Sequence, residues 1–157
     1  MKYFYFIFSS LIITFASCTS TVEKPNLIFH KSKLERKKNA PFSDVVEAEN
    51  MLFLAGQVGI NPDSKKLAGD GITEQSIQTL ENIKDVLEIH GSDLEHVVKC
   101  TVILADINDF NAFNTIFRKY FPKNKPARTT FAADLLVGAK IEIDVIAVKV
   151  DGFKDAR

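Results

Sequence analysis

Two charged side chains stand where charge is expensive. In the stretch PARTTFAADLLVGAKIEIDVIAV, residues 126–148, Arg128 and Glu142 are each set among small or apolar neighbours, in two runs with the alternation of β-strands. A strand sends alternate side chains to opposite faces. Arg128, Thr130 and Ala132 therefore share one face of the first run, while Thr129, Phe131 and Ala133 share the other. In the second run Ile141, Ile143, Val145 and Ala147 alternate with Glu142, Asp144, Ile146 and Val148. Aliphatics on both faces mark a central, covered strand, and an ion there needs a partner or a task. The pattern leaves two arrangements open: a buried ion pair between Arg128 and Glu142 or Asp144 at a subunit interface, or a site in which Arg128 holds the anion of a ligand. A guanidinium fork suits the second, because it meets a carboxylate with two parallel hydrogen bonds.

Composition narrows the alternatives. The chain has 157 residues, one domain's worth, with 46% hydrophobic and 25% charged residues, an ordinary balance for a packed core. Twenty basic and twenty acidic residues cancel, so no overall field recruits nucleic acid or an anionic membrane. Cys18 and Cys100 lie far apart without a CxxC or Cys/His cluster, which gives neither a zinc site nor a disulfide framework. His30, His90 and His96 fall in separate segments and are read as surface or structural residues; no metal site is expected.

The elements that must position Arg128 and Glu142 follow in order. Residues 27–30 form a first strand, and residues 31–39, KSKLERKKN, carry five bases and one acid. That segment is either a solvated loop or a contact for an anionic surface. Residues 44–48 and 51–58 form a hairpin around the Glu49-Asn50 turn, and Asn61 to Ser64 make a further turn. From Ile72 the period becomes helical, with Ile72, Ile77, Leu80, Ile83 and Leu87 on one stripe, and Gly91 stops the helix. A strand over residues 97–104 puts Val98, Cys100, Val102 and Leu104 on one face, Cys100 as a small core residue and Lys99 opposite. Asp106 to Asp109 supply caps for a second helix, along which Phe110, Phe113, Phe117 and Tyr120 recur until Pro122. This aromatic stripe is core and not a base-stacking platform, since no positive field accompanies it. The order predicts an α+β domain, a mixed sheet of about six strands with two helices on one face. The other face keeps its aliphatics, so subunits are expected to pack sheet inward.

The N-terminus reads as a targeting segment. Lys2 precedes an apolar stretch, and residues 1–17 are left out of the fold as a signal peptide. The run is short for a bilayer span. Its end, FASC, resembles the lipobox of bacterial lipoproteins, which implies lipidation of Cys18 and a membrane-anchored domain in the cell envelope; the other reading is a plain secreted protein. Residues 18–26 then form a tether, residues 27–150 the domain and residues 151–157 a solvated tail.

Four segments, APFSDVVEAENMLFLAGQVGINP, TEQSIQTLENIKDVLE, VVKCTVILADINDFNAFNTIFRKYF and PARTTFAADLLVGAKIEIDVIAV, together resemble the Rid family, also called YjgF. The resemblance implies a chorismate-mutase-like α+β fold and a homotrimer with three clefts between subunits. For the best-known branch it also implies hydrolysis of reactive enamines and imines to 2-oxo acids and ammonia, with no metal or organic cofactor. It assigns Arg128 to the substrate carboxylate, Glu142 to the attacking water and Asn114 to a polar contact at the cleft. Three positions depart from the deaminase pattern: Phe42 replaces a tyrosine, Ala55 a serine and Thr130 a cysteine. Two hydroxyls and a thiol are gone, a change that shifts specificity or rate more than fold. The alternative is therefore a trimer that binds a small carboxylate without hydrolysing anything.

Overall fold

The computed structural model describes residues 24–34, 37–150 and 152–153. Among these residues seven strands and two α-helices arise where the hydrophobic period changes between two and 3.6. The strands are β1 (Leu27–His30), β2 (Val45–Ala48), β3 (Met51–Leu54), β4 (Gln57–Val58), β5 (Val97–Leu104), β6 (Ala127–Ala132) and β7 (Ile141–Val148). Helices α1 (Ile72–Ile89) and α2 (Phe110–Tyr120) flank β5 in the sequence. The sheet order is β1-β2-β3-β7-β5-β6, with β4 also paired to β7. All pairings are antiparallel except β5 with β6, which run parallel because α2 carries the chain across between them. This is the expected mixed α+β sheet, with β7 at its centre.

Alternation decides which residues meet the helices. Ile141, Ile143, Val145 and Ala147 of β7 are buried, as are Leu52 and Leu54 of β3 and Cys100, Val102 and Leu104 of β5. Against them pack Leu80, Ile83 and Leu87 of α1 and Phe113, Ile116 and Phe117 of α2. Each such side chain contributes roughly 1.5–3 kcal/mol by leaving water. Tyr120 Oη donates to Glu81 Oε1 at 2.6 Å and fastens α2 to α1.

The helix stripe differs from its sequence reading. Ile77 is 41% exposed, whereas Gln75, Ser76 and Thr79 are buried. Gln75 turns inward because its amide has partners there: Nε2 donates to the Gly69 carbonyl at 3.0 Å, and Oε1 accepts from the Lys140 N–H at 2.8 Å. At the other end Gly91 adopts φ +82°, and the Ser92 N–H closes onto the Leu87 carbonyl at 3.0 Å, so the expected stop is in place. In β5 a bulge between Val97 and Lys99 turns Val98 outward and buries Val97, which corrects the predicted start of that strand's inner face. Phe121, left out of the aromatic stripe, is buried against Phe117 at 4.5 Å between ring centroids.

The face away from the helices carries a cross-strand row in register, Phe29, Val46, Phe53 and Ile146. Phe29 is 64% exposed. A second row joins Val58, Glu142, Ile103 and Phe131. The two-residue turn at Glu49 and Asn50 closes the hairpin as expected, with Glu49 at φ +54°. The basic segment is pinned at both ends. Lys31 Nζ donates to the Ala40 and Phe42 carbonyls, and Lys37 Nζ lies 2.7 Å from Asp44 Oδ1 and 3.0 Å from Gln57 Oε1. Residues 1–17 and Cys18 lie outside the described residues, and no described helix is long and apolar enough to cross a membrane.

Candidate functional site

Arg128 sits on β6, at the edge of the sheet, in register with buried Cys100. It therefore faces the helices, and α2 builds its seat. Its Nη2 donates to Asn114 Oδ1 at 2.7 Å, and Cζ lies 4.6, 5.2 and 5.7 Å from the ring centroids of Phe117, Phe113 and Phe110. Cation–π contacts of this kind hold the guanidinium in one orientation. Burial lowers its proton affinity most, Cys100 opposes this, and the like charge of Arg118 adds to it; the guanidinium still stays protonated. Among the described residues no carboxylate pairs with Arg128.

Beside the guanidinium opens a cleft of ≈ 380 Å³ lined by Asn114, Phe117, Arg118, Phe121, Lys125, Pro126 and Arg128. Thr130 lies on the same face as Arg128, in register with Val102, and its buried Oγ1 has no hydrogen-bond partner. Cys100 is no nucleophile, because burial pushes its thiol up to about 12.

Glu142 stands elsewhere. Its strand neighbours Ile141 and Ile143 are buried under the helices, so Glu142 projects from the opposite face. It lies next to Gly56 in the link between β3 and β4, where a Cβ would run into its carboxylate. Ala55 precedes that glycine; its N–H donates to the Asp44 carbonyl and its own carbonyl accepts from Gln57 Nε2. Phe42, 48% exposed, lies in the loop that leads to Asp44. The sequence-chosen residues thus fall into two groups: Arg128, Asn114 and Thr130 at one edge under α2, and Glu142 with Ala55 on the other face.

Three arrangements were missed. Arg118 stands four residues after Asn114 on α2, a spacing that puts both on one helix face and that the sequence carries openly. Lys125 precedes Pro126 in a loop and gave no such signal. His30 and His90, read as unconnected, meet edge to face at 4.7 Å, because β1 lies over the end of α1. His90 donates from Nδ1 to the Val86 carbonyl at 2.8 Å, and burial lowers its pKa. His30 and His90 also border a second cavity of ≈ 490 Å³, with Asp44, Gln57, Asn82 and Asp85 among its polar walls. Among the described residues no three His, Cys, Asp or Glu side chains converge as a metal site.

A family model described as endoribonuclease L-PSP matches residues 33–149. The chain belongs to this family, the Rid or YjgF family. The human 2-iminobutanoate/2-iminopropanoate deaminase is 41% identical over 110 residues, covering 69% of this Rid chain and 80% of the human one. Among solved structures, the Rid family protein YyfA from Yersinia pestis superposes with a TM-score of 0.73 at 33% identity, covering 78% of this chain and 99% of its own. The YjgF gene product of E. coli gives 0.68 at 31% identity, over 71% and 91%. The fold of this Rid chain is therefore that of its family, and the family match takes in the sheet from β2 to β7.

Proposed function

We propose that the chain is a Rid-family deaminase that hydrolyses small 2-imino acids to 2-oxo acids and ammonia, and that it works as a homotrimer. The observation that carries the reading is Arg128: a guanidinium fixed by Asn114 and three phenylalanines, without a carboxylate partner among the described residues, lining an open cleft. Such a group takes a substrate carboxylate in two parallel hydrogen bonds. The imine carbon next to that carboxylate is electrophilic once its nitrogen is protonated. Water adds to it, the carbinolamine forms, and the C–N bond breaks as ammonia leaves and the C=O forms. Glu142 takes the proton from the water and returns it to the nitrogen. Holding the two reactants together supplies much of the rate.

The opposed faces of Arg128 and Glu142 favour a site shared between subunits. A small acid held by one chain's Arg128 is served by Glu142 of a neighbouring subunit, which requires the sheets to pack inward. The exposed row of Phe29, Val46, Phe53 and Ile146 supports that packing. Ammonia release from freshly formed 2-iminopropanoate tests the reading. Wild type should accelerate it, while Arg128→Ala and Glu142→Gln should not. Trimers assembled from a mixture of both variants should recover about a quarter of the activity, since that share of interfaces pairs an intact Arg128 with an intact Glu142. No acceleration by a folded wild-type trimer would overturn the deaminase.

One observation favours a second reading, a carboxylate-binding trimer without hydrolysis. Thr130 Oγ1 is buried and unpartnered where the deaminase branch has a thiol. Nuclease chemistry, suggested by the family description, finds no positive net charge to hold RNA. The FASC sequence supports a lipid anchor on Cys18 and a place in the cell envelope. Cys18→Ala should then move the protein from the membrane to the soluble fraction; an unchanged distribution would refute the anchor.

A further inference from the structure

The cleft beneath α2 holds more positive charge than one carboxylate needs. Arg128, Arg118 and Lys125 line it, and among the described residues no acidic side chain does. Among the described residues, none of the three has a carboxylate partner. Arg128 is committed to Asn114 and the aromatic rings, and Lys125 Nζ reaches the Pro122 carbonyl at 3.3 Å. Arg118 is exposed one helical turn beyond Asn114, roughly 6 Å further along the axis of α2 at 1.5 Å per residue. Two guanidiniums facing one cavity repel each other, and Arg118 already weakens the hold of Arg128 on its proton. An occupant with two anionic groups relieves both. The cavity, at ≈ 380 Å³, falls among those that enclose small organic ligands.

We propose that this cleft selects acids with two carboxylates: Arg128 holds the carboxylate beside the reacting carbon, while Arg118, with Lys125 at the rim, holds the one at the far end of the side chain. The reacting species would be a 2-imino dicarboxylic acid. In this the inference rests on the deaminase reading, but recognition of the diacid does not.

The test compares thermal protection of the full chain by 2-oxoglutarate, 2-oxobutanoate and inorganic phosphate. Alongside it, ammonia release is followed from the imines of glutamate and alanine, formed in situ by an amino-acid oxidase. 2-Oxoglutarate should protect at about tenfold lower concentration than 2-oxobutanoate, the worth of one further charge-assisted hydrogen bond. Arg118→Gln should bring the ratio of the two affinities close to one, and Arg118→Lys should restore part of it. Equal protection by the two oxo acids overturns the inference. So does an Arg118→Gln chain that loses both affinities in the same proportion, which makes Arg118 structural, or phosphate as effective as the diacid, which leaves charge without shape. A diacid preference with no ammonia from either imine upholds the inference and sinks the deaminase. Equal hydrolysis of both imines sinks the inference alone.

Discussion

Arg128 and Glu142 project from opposite faces of one sheet, on strands β6 and β7 with β5 between them. A 2-imino acid a few atoms long cannot touch both within a single chain. Either the two residues serve different purposes, or the working unit has more than one subunit. The second option explains why Arg128 lies at the sheet edge beside an open cleft while Glu142 shares its face with an exposed apolar surface.

Replacing Arg128 should cost turnover by lost recognition. A truncated, hydrogen-bonded charge loses about 2–5 kcal/mol of binding, so Arg128→Ala should lower kcat/KM for imine hydrolysis by about a hundredfold or more. Arg128→Lys keeps the charge but loses the fork and should recover only a minor part. Steady-state ammonia release at several imine concentrations checks both.

Gly56 should tolerate no side chain. A Cβ there meets the Glu142 carboxylate, so Gly56→Ala should displace that group and depress hydrolysis as far as Glu142→Gln does. Binding of 2-oxobutanoate at Arg128, read by thermal protection, should survive. Loss of both together would show that Gly56 shapes the whole cleft.

Acid stability should depend on Asp44. Burial alone would raise its pKa, but Lys37 at 2.7 Å, helped by Ser32 and Gln57, overcomes this and holds it below the usual value. A carboxylate with a depressed folded pKa adds stability above its unfolded pKa, and that stability disappears as pH falls through the folded value. Urea midpoints should therefore fall as pH drops below about 4, more steeply for wild type than for Asp44→Asn. At pH 7 the variant should already be weaker by about 1–3 kcal/mol, because the Lys37 ammonium loses its counter-charge and is left with neutral acceptors.

The link between the helices should have a measurable worth. Tyr120→Phe removes the 2.6 Å bond to Glu81 and leaves that carboxylate half-buried. A loss of about 1–2 kcal/mol is expected in denaturant unfolding.

Cys100 should be inert while the chain is folded. With its thiol pushed up to about 12 and no exposed surface, it should resist iodoacetamide at pH 8 in a Cys18→Ala chain and react only after unfolding.

Much of this architecture was legible in the sequence, because local physics decided it. The alternation of β7, the turn at Glu49 and Asn50 and the stop at Gly91 each depend on a few adjacent residues, and each is found where expected; Asp106 caps a short 3-10 turn ahead of α2, while Asp109 at the start of α2 makes no side-chain cap. Where the reading failed, a distant partner had overruled the local pattern. Gln75 enters the core because Gly69 and Lys140 await its amide, and Gly56 breaks the second hairpin strand where Glu142 arrives from β7. Arg128 and Glu142 stood out in the sequence as charges among apolar neighbours, yet their opposition was hidden. Alternation tells which residues of one strand share a face, whereas relating two strands requires their register and their order in the sheet. The meeting of His30 with His90 was hidden in the same way, while Arg118 was within reach of a helical count from Asn114.

The row of Phe29, Val46, Phe53 and Ile146 also bears on how the protein behaves when dilute. In the proposed trimer this row is covered only by association, so part of the stability would come from the chain's own concentration and the melting temperature should climb as protein is added. Below the assembly threshold the same row becomes an adhesive surface, open to any apolar partner, and long storage at low concentration should end in precipitation rather than in a quiet solution of monomers.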